Sequence, residues 1–372
     1  MCVRTELLRT SRRGVRVISS DDAYQAKILQ GVSRTFALTI PVLPPALYRA
    51  VANAYLLCRI ADTIEDDAGL TFDEKREYSR IFLSAVQREI AADDFAQTLA
   101  PRLAAHNSEA ERDLIRNTPR VLRITHSLNP VQQAALARCV RVMIDGMVFY
   151  QGQETLDGVR DQVEMDRYCY YVAGVVGEML TELFCEFCPA LKPRRAALFK
   201  LAVSFGQGLQ MTNILKDIWD DRARGACWLP RGGFEARGLR LSEIQAGQGG
   251  PAFAEGMQAL IGIAEGHLQN ALRYTLQIPS QEAGIRKFCL WALGMAVLTL
   301  RKLHDNPLYV SGQDVKISRR SVKLTVAVTT LCARHNLLLK GLFQVASWGL
   351  PRIEIDANGP TYIKGMEAQH AK

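Results

Sequence analysis

The sequence predicts an all-α protein that folds as one large helical bundle, and three observations support this. Apolar residues recur with helical spacing through most of the 372 residues, whereas strand-like alternation is confined to residues 15–18. Proline before and glycine after an apolar run are typical of helix starts and ends. Neither a shift in composition nor a short repeat marks a domain boundary. We therefore expect one domain at 21–350, a mobile basic leader at 1–20 and a polar tail at 351–372.

The predicted helices follow one another along the chain with one long interruption. Pro44 and Pro45 open the first apolar run, and Gly69 ends it. The longest connection, 222–250, is rich in Gly and Arg and follows an acidic helix end, which is typical of a lid over a site. The spacing of apolar residues predicts further helices at 73–92, 109–124, 130–152, 164–187, 193–221, 251–276, 281–304 and 319–345.

Composition and charge exclude several classes of protein. With 48% hydrophobic and 23% charged residues, disorder over most of the chain is excluded. The net charge is +8, but the absence of a basic helix, a zinc-finger spacing or an RNA-binding aromatic strand argues against nucleic acid, leaving diphosphates or anionic lipid. Nine cysteines, mostly in apolar helical runs, predict reduced thiols and a cytoplasmic protein. We expect no signal peptide and no membrane span, and peripheral association with a membrane stays open.

Two predicted helices end in a pair of aspartates spaced four residues apart. Asp62 and Asp66 end the first, and Asp217 and Asp221 end the helix predicted at 193–221. Residues four apart share a helix face, and carboxylates at a helix C-terminus face the negative end of the macrodipole. A bound cation would remove this conflict, and oxygen ligands without His or Cys suit Mg²⁺. Either pair alone could be a solvated acidic face, but two pairs in matching context favour one metal site between two helices.

Polar residues extend both aspartate pairs along their helix faces. Tyr55 and Arg59 precede Asp62 by seven and three residues, and Gln210 and Asn213 share the face of the second pair. No His lies in these motifs, and no serine-nucleophile or phosphate-loop motif is present. Metal clusters that face an apolar cavity suit the removal of diphosphate from a hydrophobic substrate, with aromatic faces stabilising the resulting cation.

Four motifs together resemble the squalene and phytoene synthase family of head-to-head prenyl-diphosphate condensing enzymes. They are SRTF at 33–36, YLLCRIADTIEDD at 55–67, YCYYVAGVVGEML at 168–180 and LQMTNILKDIWDD at 209–221. The resemblance spans roughly residues 33–332 and is nearer to the squalene synthases, because RKFCLWALGMAVLTL and DVKISRR (314–320) resemble their late segments. Lys216 stands where many relatives carry Arg, and Ser318 stands where squalene synthases carry a basic residue. CWLP at 227–230 looks more like the phytoene side of the family.

The resemblance implies an isoprenoid-synthase helical bundle with a central cavity. It further implies Mg²⁺-dependent condensation of two farnesyl diphosphates through presqualene diphosphate to squalene, with NADPH as the reductant. A dehydrosqualene- or phytoene-type synthase that needs no reductant is the near alternative. The more distant alternative is a non-catalytic relative that acts as an assembly factor. Such a relative would be expected to have lost carboxylates, whereas both aspartate pairs are intact in this sequence. The oligomeric state is left open.

The resemblance also implies roles for single residues. Tyr168 would lie beside the departing diphosphate and help proton transfer or cation steering; its alternative is a packed core tyrosine. Arginines and a serine hydroxyl would bind phosphate oxygens, amides would orient a diphosphate or a metal-bound water, and aromatic rings would line the cavity. Two late basic residues would contact NADPH or the second diphosphate, with a solvated loop as the alternative. Beside the aspartates, the expected site residues are Ser33, Arg34, Arg59, Gln210, Asn213, Phe36, Tyr55, Phe288, Lys316 and Arg319, with Asn213 also a metal ligand.

Overall fold

The computed structural model describes residues 19–33, 35–104 and 107–357, and every regular element within them is a helix. The predicted all-α class is therefore confirmed. Most of the predicted leader, Arg34 and the end of the predicted tail lie outside the described residues. The α-helices are α1 (Ser20–Val32), α2 (Phe36–Thr39), α3 (Pro45–Asp66), α4 (Phe72–Val86), α5 (Ala92–Leu99), α6 (Glu109–Arg116), α7 (Thr118–Ser127), α8 (Pro130–Gln151), α9 (Gln162–Cys169), α10 (Val175–Phe187), α11 (Arg195–Ala223), α12 (Arg231–Glu235), α13 (Gly250–Gln277), α14 (Ala283–Asp305), α15 (Arg319–Cys332) and α16 (Asn336–Ala346).

The longest helix, α11, lies at the centre of the bundle and packs against α10, α13 and α14. Glycines bring two of these backbones unusually close. A Cβ atom at Gly177 would lie 2.3 Å from the carbonyl oxygen of Ala202, and one at Gly206 would lie 2.4 Å from that of Ala173. Only glycine permits two backbones to approach this closely, so α10 and α11 form one rigid wall.

Three predicted helices are broken in the structure. The run 109–124 divides at Asn117, because Pro119 in the first turn of α7 has no N–H to continue the ladder of α6. The run 164–187 contains a π-helical turn, Tyr170–Gly174, between α9 and α10. Such turns are frequent at functional sites. The run 319–345 divides between α15 and α16 at residues 333–335.

Four helices are absent from the prediction: α1, α5 and the short helices α2 and α12. α1 begins after Ser19, whose side chain accepts a hydrogen bond from the backbone N–H of Asp22, so the sequence signal was a serine cap followed by two aspartates. α5 lies beyond the helix predicted at 73–92 and shares only Ala92 with it. The chain ends α4 at Val86 and reverses through Arg88, which has a positive φ of 67°.

Residues 351–356 run without helical structure along α13. A Cβ atom at Gly266 would lie 2.1 Å from the carbonyl oxygen of Ile353, and Asn270 donates a 3.0 Å hydrogen bond to the carbonyl oxygen of Ile355. The start of the predicted polar tail is therefore packed against the bundle.

One helix in the described part of the chain, α14, is long and apolar enough to cross a membrane by length and composition. In this fold it packs against α11, α13 and α15, and most of its apolar window is buried. We therefore describe it as a core helix of the bundle.

Candidate active site

A cavity of about 920 Å³ opens between α3, α8, α10, α11 and α14. This volume lies in the upper range of ligand pockets. One end is walled by aliphatic and aromatic side chains, and the other end carries carboxylates and basic groups. The apolar wall includes Val176, Leu180, Phe184, Phe205, Tyr274 and Phe288.

The two aspartate pairs meet at the polar end of this cavity. Asp62 and Asp66 come from the last turns of α3, and Asp217 and Asp221 come from the last turns of α11. Arg224 joins the two helix ends, since its Nη1 lies 3.5 Å from Asp66 Oδ1 and its Nη2 lies 2.6 Å from Asp221 Oδ1. The structure thus brings together the four carboxylates that the sequence predicts as one site.

Burial raises the pKa values of Asp62, Asp217 and Asp221. The pKa of Asp62 rises to about 7, mainly because burial disfavours the charged form, with Arg59 opposing the rise. The pKa of Asp221 rises to about 6 for the same reason, and Arg224 opposes it. The neighbouring Glu65 has a pKa well above its ordinary value, again through burial. The cluster therefore holds more acidic groups than its basic neighbours neutralise, and a divalent cation would favour the ionised forms.

The donor set suits a metal ion shared with a substrate. Among the described residues, no group of three or more His, Cys, Asp or Glu side chains is arranged as a metal cage. Mg²⁺ is usually held by one or two carboxylates together with waters and substrate phosphates, so two separated aspartate pairs fit it. Asn213 faces the same space from α11 and offers an amide oxygen.

Basic side chains also line the polar end. Arg59 pairs with Glu111, while its buried Nε has no hydrogen-bond partner in the described part of the chain. Lys216 Nζ lies 3.1 Å from Asp217 Oδ2, and Lys75 caps the carbonyl oxygen of Glu65 at the end of α3. Basic side chains that lie beside carboxylates at the mouth of a cavity can donate hydrogen bonds to an anion that enters together with its bound metal ions.

The rings of Tyr168 and Trp228 stack on each other in the cavity wall near the carboxylates. Their centroids are 3.9 Å apart and their planes differ by 5°, and both residues line the cavity. Burial, reinforced by the charges of Glu65 and Asp221, holds the pKa of Tyr168 well above its ordinary value, so its hydroxyl stays protonated. Trp228 belongs to the connection predicted as a lid, and this part of that connection lines the cavity.

Most of the other predicted site residues line the same cavity. They are Phe36, Tyr55, Arg59, Gln210, Asn213 and Phe288. The hydroxyl of Tyr55 donates a 3.0 Å hydrogen bond to the carbonyl oxygen of Val32, which fixes its ring against Phe36.

Three predicted residues in the described part of the chain, Ser33, Lys316 and Arg319, are not in the cavity wall. Ser33 accepts a 2.9 Å hydrogen bond from the N–H of Phe36 at the start of α2, and Arg34 lies outside the described residues. Lys316 and Arg319 are exposed. Their loop nevertheless reaches the site, because a Cβ atom at Gly312 would lie 3.5 Å from Asp217 Oδ1.

Sequence reasoning missed several side chains of the polar end. Glu65 lies inside the first acidic motif, and its position one residue before Asp66 was the available signal. Asp67 in the same motif turns away and accepts hydrogen bonds from the N–H groups of Gly69 (2.7 Å) and Ala104 (2.9 Å). The missed lining residues are Glu65, Lys75, Glu154, Lys216, Arg224 and Trp228.

Comparison with known proteins agrees with this geometry. The family model described as squalene/phytoene synthase matches residues 29–321. A squalene synthase of Eremothecium gossypii is 28% identical over 91% of this chain and 73% of its own length. The squalene synthase ERG9 of Saccharomyces cerevisiae is 26% identical over 91% and 72%.

Solved structures share the fold. A complex of TcSQS with the ligand BPH1237 superimposes with a TM-score of 0.73 and 22% identity, covering 94% of this chain and 96% of that one. A dehydrosqualene synthase bound to a ligand gives a TM-score of 0.57 and 21% identity, covering 87% and 97%. Because the family model spans most of the chain, this protein is a prenyltransferase that belongs to the squalene/phytoene synthase family.

Proposed function

We propose that the protein is a squalene synthase, which condenses two farnesyl diphosphates head to head through presqualene diphosphate and reduces the product with NADPH. The observation that carries this proposal is the pair of acidic helix ends that meet across the polar mouth of one apolar cavity. The apolar end suits prenyl chains, and the polar end suits diphosphates. Several curated relatives along the chain's length are named squalene synthases.

The carboxylates would hold Mg²⁺ against the diphosphate groups. Asp62 and Asp66 would act from α3, and Asp217, Asp221 and Asn213 from α11. Bound Mg²⁺ would supply charge neutralisation of the leaving diphosphate. Arg59, Lys216 and Arg224 would contact phosphate oxygens directly, and the unpartnered Nε of Arg59 is a donor available for this purpose.

Tyr168 would act at the point where the diphosphate leaves the prenyl chain. Its raised pKa keeps the hydroxyl as a proton donor, and its stacking partner Trp228 presents a second π-face to the same space. Phe36, Tyr55 and Phe288 would exclude water around the prenyl chains.

We further propose that NADPH is the reductant. The resemblance of the 314–320 segment to squalene synthases supports it, and the proximity of Gly312 to Asp217 shows that this loop adjoins the site. Lys316 and Arg319 are the proposed contacts for the reductant. A synthase that stops at dehydrosqualene remains the second candidate, because the fold is shared with a dehydrosqualene synthase.

Product identification tests the proposal directly. The purified full chain is incubated with farnesyl diphosphate and Mg²⁺, with and without NADPH, and the products are identified by mass spectrometry. We expect squalene only when NADPH is present. Dehydrosqualene as the product in both reactions would replace the proposal by the second candidate, and no condensation product at all would favour a non-catalytic assembly factor.

We propose that the protein acts in the cytoplasm. The eight cysteines among the described residues are free thiols, and seven of them are buried, as a reducing compartment permits. Fractionation of cells that produce the protein, with detection of squalene synthesis in each fraction, tests this placement.

A further inference from the structure

Helices α15 and α16 carry a surface that the rest of the fold leaves uncovered. α15 has no fully buried side chain, and α16 buries only Leu339. A contiguous group of exposed apolar side chains marks an interaction site, whereas isolated ones are ordinary. The five most exposed large apolar side chains in the described part of the chain lie on these helices or, for Trp348, two residues after α16: Leu324 (65%), Leu331 (79%), Leu337 (82%), Val345 (74%) and Trp348 (78%).

The exposed positions of each helix share one face. On α15, Arg320, Leu324 and Leu331 are exposed and follow one another at intervals of four and seven residues. On α16, Leu337 and Val345 are spaced eight residues apart on one face. The surface is thus a pair of amphipathic helices whose outward faces are apolar and basic.

The same segment carries a strong positive charge. Between Asp314 and Glu354 the sequence has seven Lys or Arg residues and no Asp or Glu. Lys323, Arg334 and Lys340 are exposed, and none of the ion pairs found within the described residues involves them. A second copy of this chain would bring two such basic faces together, so charge repulsion opposes self-association through this surface.

We propose that the outward face of α15 and α16 docks on an anionic phospholipid membrane. The leucines, Val345 and Trp348 would enter the boundary between headgroups and acyl chains, and the lysines and arginines would meet the lipid phosphates. Tryptophan side chains favour this interfacial depth. Because the whole segment lacks carboxylates, an anionic bilayer fits this surface better than a protein whose surface carries both positive and negative charges.

Docking in this way gives the cavity a defined position relative to the bilayer. α14 lies between the two, because its Phe288 and Ala292 line the cavity while its Gly294 packs against Thr325 of α15. The apolar end of the cavity would therefore lie one helix away from the membrane. The proposal concerns the surface alone and does not depend on which product the enzyme releases.

Vesicle sedimentation of the full chain tests the docking. The protein is mixed with vesicles of phosphatidylcholine alone, or of phosphatidylcholine with one third phosphatidylglycerol. We expect binding to the anionic vesicles only, with weakening as salt is raised. Lys323→Glu/Lys340→Glu should weaken binding by roughly tenfold or more. The matched control Lys27→Glu/Lys192→Glu changes the net charge equally on exposed residues elsewhere and should bind like the native chain.

A second variant separates the apolar contribution. Leu331→Ser/Leu337→Ser should abolish vesicle binding, while circular dichroism and prenyl transfer with detergent-dispersed substrate stay unchanged. Anionic vesicles should shift tryptophan emission to shorter wavelength in the native chain, and Trp348→Phe should remove that shift. Equal vesicle binding by the native chain and both surface variants would overturn the proposal. So would a concentration-dependent dimer that is lost in Leu331→Ser/Leu337→Ser, since the surface would then belong to a second copy.

Discussion

The ring of Tyr168 stacks on the indole of Trp228, with centroids 3.9 Å apart and planes 5° from parallel. Tyr150 packs edge-on against Tyr168 at 5.2 Å. The stack joins α9 to the connection that follows α11, and it holds the phenol in the cavity wall near the carboxylates. Aromatic pairs of this kind stabilise a fold by about 0.5–1.5 kcal/mol beyond their buried area. The position of Tyr168 is therefore set by packing before any substrate binds.

Replacement of Tyr168 by Phe should block the first half of the reaction. The ring and its stack are kept, so the fold should be retained, but the protonated hydroxyl is lost. We expect turnover to fall by roughly 10²-fold or more, with little presqualene diphosphate formed. Tyr150→Phe is the matched control, because Tyr150 touches the same ring without lining the cavity. Normal accumulation of presqualene diphosphate by Tyr168→Phe would contradict the role.

Loss of one aspartate from either pair should remove activity without unfolding the chain. Asp62→Asn and Asp217→Asn keep the shape of the side chain but remove a charged metal ligand. We expect turnover to fall by roughly 10³-fold or more, with an unchanged helical circular dichroism spectrum. Asp220→Asn is the control, since Asp220 is exposed and is not in the cavity wall. Wild-type activity in Asp62→Asn or Asp217→Asn would rule out the metal roles.

Magnesium affinity should increase with pH. Burial raises the pKa of Asp62 from 3.8 to about 7 and that of Asp221 from 3.8 to about 6. At pH values between the ordinary and the raised pKa, the folded chain without metal binds more protons than the unfolded chain. Its free energy of unfolding therefore falls as the pH rises. Mg²⁺ needs the ionised carboxylates, so its affinity should rise about tenfold per pH unit for each displaced proton and level off above pH 7. Calorimetric titration with Mg²⁺ across this range measures the slope, and a flat profile in the native chain would contradict it.

Arg224 should act as a substitute for the missing cation in the metal-free protein. It bridges Asp66 and Asp221, so Arg224→Met leaves both carboxylates facing each other without compensation. We expect a lower melting temperature in EDTA, by roughly 1–2 °C per kcal/mol of lost stability for a chain of this length. Mg²⁺ should restore more stability to Arg224→Met than to the native chain. Arg224→Lys keeps the charge and should lose less, and an identical response of all three proteins to Mg²⁺ would argue against the bridge.

The contact between Gly266 and the extended segment 351–356 should govern stability rather than catalysis. A Cβ atom at Gly266 would lie 2.1 Å from the carbonyl oxygen of Ile353, so Gly266→Ala must displace the segment. We expect the free energy of unfolding to fall by about 1–3 kcal/mol. Gly341→Ala in α16 is the control, because nothing lies within 4 Å of its added Cβ, and alanine should stabilise a helix interior by about 1 kcal/mol. Urea unfolding compares the two, and equal stability of both variants would show that the segment is not held at this point.

The sequence by itself was enough to predict the fold class and the two aspartate pairs that line the cavity. Helical periodicity is a local property, so the long helices α8, α11, α13 and α14 were predicted to within about two residues of their ends. The aspartate pairs were visible for the same reason, because spacing within one helix decides which side chains share a face. Helix ends set by a single backbone event, such as the positive φ of Arg88, were not visible.

Only the tertiary structure decided which residues from different helices meet. The bridge from Arg224 to Asp66 and the stack of Trp228 on Tyr168 join elements that lie far apart along the chain. The same packing turned Asp67 away from the cavity and left the apolar face of α15 and α16 bare. Periodicity assigns a residue to a face of its own helix, whereas the partner of that face depends on how all the helices pack together.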